Sequence, residues 1–455
     1  MAISEIVGVS VIETQAGTTL ASFDTPAILA AAADTTPDSY TTDSVVAKLY
    51  TLDTDGQASV DDDWGGSSLA SEMFAQMVAQ EPRPESAYII KRGTPVATVK
   101  KITITGSLLS GQTVTVTVNG ESFSSTFATD QATTLAALAS SIQSGAFGVA
   151  TAAHATGVIT ITATSEYELS VGTAVASGSG TLPTFATTTF TAGRVAADDI
   201  ADALAEDDTN LWYGLVTADT SVGVQLSVAK AIESSEKFYW LRTDETASKT
   251  AGGTDALAIR LAALNYRRTL GFWHHDTTEY IDGAALAKYL GSAPGSIDLA
   301  HTELAGVTVS KTSDLSAAAV TVLEGRHFNT YRAFGEFGLV RRGVRVDGTV
   351  AEATRDLDYA KNEYTAAFLV YISQTKKPPY DTSGLAAIRS IGEQVTRRLV
   401  KEGVFRGDVA ATFYVPKMED ISASNQAAQL VPGCKVTATL LKGVIEITIP
   451  LEIAV

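Results

Sequence analysis

Three successive alternations of helical and strand pattern, between Ala196 and Trp273, constrain the fold of this chain more than any other feature. Residues 198–206 read as a helix and lead to Trp212-Tyr213-Gly214-Leu215-Val216-Thr217. Residues 222–234 lead likewise to Phe238-Tyr239-Trp240-Leu241-Arg242, and 255–265 to Thr269-Leu270-Gly271-Phe272-Trp273. Repeated helix-then-strand order gives parallel strands covered by helices. These apolar, aromatic strands suit burial on both faces. Phe23-Asp24-Thr25-Pro26-Ala27-Ile28-Leu29-Ala30 adds an earlier buried strand, with Pro26 near its start where a missing N–H is tolerated. Residues 67–80 read as a helix and Tyr88-Ile89-Ile90-Lys91-Arg92 as another strand.

Composition changes at Gly93, and residues 94–193 are rich in Thr, Ser, Ala and Gly and nearly free of charge. Strand patterns cover 101–105, 113–118, 121–127 and 157–163, with Asn119-Gly120 placed as a type I′ turn. Asp130 caps a helix over 131–144 that Gly145 stops. Because the α/β pattern pauses at Arg92 and resumes after Arg194, this β-rich unit reads as an insertion. The expected class is α/β and α+β multidomain: an extended arm (1–20), a largely parallel central α/β domain (21–93 plus 194–340), the inserted domain (94–193) and an α+β C-terminal domain ending in strands (341–455).

Residues 34–66 read as a solvated acidic loop. Thr51 and Asp62 stand where a calcium loop would need its first and last carboxylate ligands, so that motif is incomplete. Residues 328–346 read as a hairpin turning at Gly335, and 352–373 as a long helix. A second helix over 381–402, capped by Thr382 or Ser383 and closed by Gly403, carries an apolar stripe of Leu385, Ile388, Gly392, Val395 and Leu399. Arg389, Glu393, Arg397 and Lys401 fall at i+4 spacing on another face with Arg398 beside them. They read either as an ion-pair ladder or as a basic rail toward an acidic partner.

Formal net charge is −18, without a basic stripe, which argues against nucleic acid as a partner. Residues 1–90 hold fourteen acidic and two basic side chains, and residues 341–455 hold thirteen acidic and fifteen basic. No run is long enough to span a membrane and no signal peptide is expected. The single cysteine, Cys434, excludes an intrachain disulfide and reads as a small half-buried core residue. No dinucleotide, P-loop, nucleophile-elbow or zinc-protease motif is present. The Trp273-His274-His275-Asp276 cluster is the one hint of an enzyme or metal-binding protein. Adjacent histidines on a strand point to opposite faces, however, which favours a structural role.

Both ends of the chain carry β-branched segments. Ile6, Val7, Val9, Val11 and Ile12 lie in a stretch without helical period. Near the other end, 434–440 and 444–455 flank Lys442-Gly443 as a hairpin would. An apolar terminal strand without a polar tail is an aggregation hazard unless another strand covers it.

The chain resembles the tail sheath proteins of contractile-tailed bacteriophages, in particular a compact branch with one inserted outer domain. The resemblance covers roughly 20–92 and 196–455. It rests on Phe23-Asp24-Thr25-Pro26-Ala27-Ile28-Leu29, on Val346-Asp347-Gly348-Thr349, and on Arg355-Asp356-Leu357-Asp358-Tyr359-Ala360-Lys361. Lys377-Pro378-Pro379-Tyr380-Asp381-Thr382-Ser383-Gly384-Leu385 and the terminal strands complete the order. It implies a structural subunit without enzymatic activity or cofactor, in a helical homo-oligomer around a tail tube. Baseplate and tail-terminator proteins would stand at its ends, with no nucleic-acid partner and no membrane insertion. The assembly would form in the host bacterial cytoplasm, act in the virion tail, and contract to drive the tube through the host envelope. Under that implication, Ile6, Val7, Val9, Val11, Ile12, Val444, Ile445, Ile447, Ile449, Leu451 and Ile453 are candidates for strand exchange between subunits. Arg389, Arg397, Arg398 and Lys401 are candidates for the tube-facing surface. The alternatives are an α/β enzyme or metal-binding protein using His274, His275 and Asp276, or another phage tail or baseplate structural protein.

Overall fold

A computed structural model describes residues 22–38, 40, 45–206, 211–253, 256–375 and 377–443. The chain begins with β1 (Pro26–Leu29), β2 (Ala47–Thr51), α1 (Thr54–Trp64), α2 (Leu69–Val78) and β3 (Ser86–Ile90). Next come β4 (Val99–Thr105), β5 (Thr113–Val118), β6 (Glu121–Thr126), α3 (Gln131–Gly145), β7 (Val149–Ala155), β8 (Val158–Ala163), β9 (Val175–Ser177) and β10 (Thr184–Thr191). Helix and strand then alternate through α4 (Ala196–Glu206), β11 (Gly214–Thr217), α5 (Val222–Glu233), β12 (Phe238–Thr243), α6 (Leu257–Leu264) and β13 (Thr269–Trp273). After these lie α7 (Ile281–Leu290), α8 (Ala317–Gly325), β14 (Phe328–Phe334), β15 (Phe337–Arg341), α9 (Glu352–Gln374) and α10 (Thr382–Lys401). The last are β16 (Thr412–Tyr414), α11 (Ala423–Ala427) and β17 (Lys435–Thr437).

Eight strands form the main sheet, in the order β15-β14-β13-β12-β11-β1-β3-β2. The six inner strands are mutually parallel, and each edge strand is antiparallel to its neighbour. Every residue of β1, β11, β12 and β13 is buried, because helices cover both faces. Alternate side chains go to opposite layers. Ile28, Val216, Trp240 and Phe272 meet Met73, Phe74, Leu286 and Tyr289 from α2 and α7. Leu29, Leu215, Tyr239, Leu241 and Trp273 meet Val224, Val228, Leu257 and Leu323 from α5, α6 and α8. Pro26 opens β1, as the sequence predicts.

Residues 99–191 make two further sheets, β10-β4-β8-β7 and β6-β5-β9, with their own core of Val114, Val116, Leu135, Leu138, Ile142 and Ile161. Asn119 (φ 49°) and Gly120 (φ 86°) both take positive φ between the antiparallel β5 and β6, as a type I′ turn requires. Strands β7, β9 and β10 are additional to the expected set. They are rich in Ala and Thr, largely exposed, and lack the alternating Val and Ile that mark β5 and β8.

Residues 34–66, expected as a loop, instead hold β2 and α1. Gly56, Val60 and Trp64 are buried at i+4 spacing beneath the aspartates, and the Asp53 carboxylate accepts the Gly56 N–H at 2.7 Å as the helix cap. That bond holds the Asp53 carboxyl below its ordinary pKa. Helix α10 is likewise capped by Asp381, which accepts from the N–H groups of Ser383 and Gly384, and not by Thr382 or Ser383.

At the end of the described chain β17 pairs antiparallel with β16, and Leu440 bridges Phe405. Lys442 and Gly443 belong to no strand, and 444–455 lies outside the described residues, as does the arm at 1–20. Cys434 is exposed rather than half-buried, because it precedes β17 in a loop away from the α9–α10 core. In that core Leu385, Val395 and Leu399 pack with Tyr364 and Phe413. A β-carbon on Gly392 would stand 2.2 Å from the Phe413 ring. Gly392→Ala should therefore lower unfolding stability by about 1–3 kcal/mol, read from urea denaturation, as overpacking of a filled core does.

Candidate functional site

An open parallel sheet takes ligands outside the carboxyl ends of its strands, at the point where strand order reverses. That point lies here between β1 and β11, since the chain proceeds to β3 on one side and to β12, β13 and β14 on the other. The chain's own side chains fill it. Asp34, just past β1, accepts from the N–H groups of Leu69 at 2.9 Å and Ala70 at 3.2 Å, and from Ala31 at 3.0 Å. Its carboxylate thus occupies the start of α2, where a ligand phosphate would otherwise bind. Asp219 accepts the Ser221 N–H, 2.8 Å away, beside the start of α5.

Arg242 closes the centre of the crevice. From the end of β12 it donates to the carbonyl oxygens of Thr217 (3.0 Å), Ala218 (3.0 Å) and Thr277 (2.7 Å) and pairs with Asp282 at 3.0 Å. Both members of the pair are buried, and the Tyr280 ring lies 4.4 Å from the guanidinium. Burial raises the Asp282 carboxyl above its ordinary pKa against the attraction of Arg242. The sequence signal was present but unread: an arginine ends the otherwise apolar run Phe238-Tyr239-Trp240-Leu241.

His274 and His275 follow β13 rather than lying in it, and their rings stand 4.4 Å apart instead of on opposite faces. The strand ends at Trp273, so strand alternation no longer governs them. His274 is buried, and each of its nitrogens lies 2.8 Å from a carbonyl oxygen, that of Asp276 or of Thr308. No nitrogen is left for a metal. His275 faces Ser310, and Asp276 accepts from the Thr278 N–H at 2.9 Å, capping a short 3₁₀ turn. The arrangement fixes a loop and brings no metal-ligand set together.

Of the basic residues on α10, Arg389 donates to the Val415 carbonyl at 3.1 Å, and Arg398 pairs with Glu363 of α9. Arg397 lies 3.7 Å from Glu393, and Arg389, Arg397, Arg398 and Lys401 are all exposed. Arg389 and Arg398 thus also bond groups of the chain while their side chains stay exposed. Ile6, Val7, Val9, Val11 and Ile12, and Val444, Ile445, Ile447, Ile449, Leu451 and Ile453, lie outside the described residues.

The motif on α9 has a visible task. Arg355 is buried and donates to the carbonyl oxygens of Phe23, Tyr289 and Leu290. Asp358 accepts a forked pair of bonds from Arg268 (2.8 and 2.9 Å) and the Tyr213 hydroxyl (2.9 Å). Asp356 accepts the Gly295 N–H at 3.0 Å, and Lys361 pairs with Glu236. One helix thus bolts the C-terminal segment to the main sheet.

Fold and site together define a multi-sheet α/β protein whose usual ligand crevice is sealed. No family model and no curated protein matches the chain. Among solved structures it is similar to the contracted helical sheath of the anti-feeding prophage, at 12% identity and TM-score 0.48, over 98% of this chain and 99% of that one. It is also similar to the sheath tail protein of Listeria innocua, at 11% identity and TM-score 0.43, over 97% and 99%. A third likeness is to the contracted PVC sheath complex of an extracellular contractile injection system, at 13% identity and TM-score 0.37, over 53% and 70%.

Replacing Arg242 by Leu should cost about 3–5 kcal/mol in urea unfolding, since it leaves Asp282 buried without a counter-charge. Pairing that change with Asp282→Leu should recover most of the loss.

Proposed function

We propose that this chain is a structural subunit of a contractile tail sheath, which polymerises helically around a tail tube by exchanging terminal β-strands with neighbouring copies. The observation that carries this reading is the β16–β17 pair. Two three-residue strands form a sheet of their own with both outer edges unpaired among the described residues. So small a sheet is marginal until further strands join it. The chain itself carries candidates, the apolar β-branched segments at 6–12 and 444–455, and Leu440 already runs beside Phe405 as it approaches the second. Strand addition from a neighbour supplies main-chain hydrogen bonds and apolar anchors. Because giver and acceptor surfaces differ, the contact is head-to-tail and extends without closing on itself.

In this reading Ile6, Val7, Val9, Val11, Ile12, Val444, Ile445, Ile447, Ile449, Leu451 and Ile453 provide the linkage. Arg389, Arg397, Arg398 and Lys401, all exposed on α10, face the tail tube. The partners are copies of the same chain, a tube protein, and baseplate and terminator proteins at the ends. Assembly takes place in the host bacterial cytoplasm and the finished sheath belongs to a virion tail. Contraction rotates subunits as rigid bodies while exchanged strands keep them joined, and drives the tube through the host envelope. The switch point filled by the chain's own side chains, and a buried His274 held between the Asp276 and Thr308 carbonyl groups, support a role without catalysis.

Negative-stain electron microscopy of the purified chain should show tubes or rings. Deleting 444–455, or 1–20, should leave a folded monomer that does not polymerise; monodisperse full-length monomer at high concentration would refute the reading. Separately, reversing the charge at Arg397 and Lys401 should reduce co-assembly with the tube at low salt and have little effect at high salt, where such contacts are screened.

A further inference from the structure

The loop 291–300 leaves the end of α7 and touches three separate parts of the chain. Its Leu299 N–H donates to Glu352 of α9 at 2.6 Å, and its Gly295 N–H to Asp356 at 3.0 Å. Gly295 packs directly on Glu402, Gly403 and Val404, beyond the end of α10. Gly443, the last described residue, packs against the Asp298 side chain so closely that a β-carbon there would overlap its carboxyl oxygen. The loop is therefore the seat on which the root of the terminal segment rests.

Among the described residues, Glu352 and Asp298 meet at that seat without an ion-pair partner. Glu352 is almost wholly buried, and one of its oxygens has no donor among the described groups. Asp298 immediately precedes Leu299, whose N–H binds Glu352, so a second carboxyl neighbours the buried one. A buried carboxyl with an unpartnered oxygen and a second acid beside it holds its proton against ionisation.

The surrounding charges do not relieve this. On α9, Arg355 directs its guanidinium at the carbonyl oxygens of Phe23, Tyr289 and Leu290. Asp356 adds a further carboxyl, and Tyr289 of α7 is a neutral neighbour within reach of all of them. On the segment after β15, Arg342 pairs with Glu324 and Arg345 with Asp347. From the C-terminal side come Glu402, another acid, and Lys442, which is exposed.

We propose that Asp298 and Glu352 form a proton-held latch whose opening above neutral pH frees loop 291–300 and, with it, the root of the terminal segment. Burial, followed by the hydrogen bond and charge of Asp298, pushes the Glu352 carboxyl up to about 8, and burial takes Asp356 to about 7 against the Gly295 N–H and Arg355. A carboxyl whose pKa rises on folding lends stability that is fully present below its ordinary value, 4.5 for glutamate, and lost as pH rises through about 8. The latch is thus closed in weak acid and open in weak base. Its consequence for polymerisation rests on the proposed role of the terminal strands; the latch itself does not.

Hydrogen–deuterium exchange of the full chain at pH 6 and pH 9, corrected for intrinsic exchange rates, tests it. Protection of peptides covering 291–300 and 402–404 should fall about tenfold or more between the two conditions. Glu352→Gln keeps the shape, donates an amide N–H to Asp298 and leaves an oxygen for Leu299, so it should abolish most of that fall. An equal fall in both proteins, or none in the wild type, overturns the latch. Should Glu352→Gln not fold, Asp298→Asn is read in the same way. The urea midpoint of the wild type supplies an independent check: it should drop from pH 6 to pH 9, and a constant or rising midpoint sinks the proposal. Electron microscopy at both pH values reads polymerisation separately. A latch that titrates in a chain that never assembles would stand while the sheath reading fell.

Discussion

Arg355 is a buried cation with no carboxylate ion pair among the described residues, and much of the architecture depends on how it is satisfied. Its guanidinium donates twice to the Phe23 carbonyl (3.1 and 2.8 Å), once to Tyr289 (2.7 Å) and once to Leu290 (3.2 Å). A guanidinium this deep is tolerated only when its N–H groups are bonded. Those bonds fix the entry to β1, the end of α7 and the start of α9 relative to one another. Asp358, three residues further along the same helix, takes Arg268 and Tyr213, and Lys361 takes Glu236. Phe23, Tyr213, Glu236 and Arg268 each precede a strand of the parallel sheet, so α9 lies across the amino ends of β1, β11, β12 and β13.

The opposite end of the same sheet is shut by Arg242, Asp282 and Asp34, and both faces are covered by helices. An α/β sheet usually leaves its carboxyl end open for chemistry. Here each helix start along that crevice meets a carboxylate from the chain. What the main sheet leaves uncovered is its pair of edge strands, and beyond it stand the unit at 99–191 and the β16–β17 pair. Surfaces of that kind serve contacts between proteins better than they serve catalysis, which is the physical ground for an assembly role.

The parallel sheet was legible because β11, β12 and β13 are short apolar runs, each preceded by a helical period. The Asn119-Gly120 turn was legible because few residue pairs take two positive φ values. Helix α1 was not, since its buried residues, Gly56, Val60 and Trp64, are spaced among aspartates that read as a solvated loop. Strands β7 and β10 were hidden by Ala and Thr, which carry little periodic signal. At the site level, sequence could quote Arg355, Asp356, Asp358 and Lys361 as a motif without revealing their partners. Those partners lie between 61 and 332 residues away along the chain. The His274-His275 pair misled in its geometry because the strand stops one residue short of it.

Charge distribution shows why net values say little about partners. The first ninety residues are strongly acidic, yet Asp34 and Asp53 bind helix N–H groups, Asp61 takes Gln57 and Ser71, Asp63 takes Lys48 and Tyr50, and Glu72 takes the Tyr280 hydroxyl. These carboxylates organise the α1–α2 layer through bonds within the chain. Toward the other end Arg355, Arg345, Arg398 and Arg406 are similarly engaged with the chain itself. The exposed pair of Arg397 with Glu393 is of the kind that contributes little to stability, so it yields readily to an outside carboxylate. Arg389, Arg397, Arg398 and Lys401 all stay exposed along α10, so bonds to Val415, Glu363 and Glu393 engage three of them without burying any.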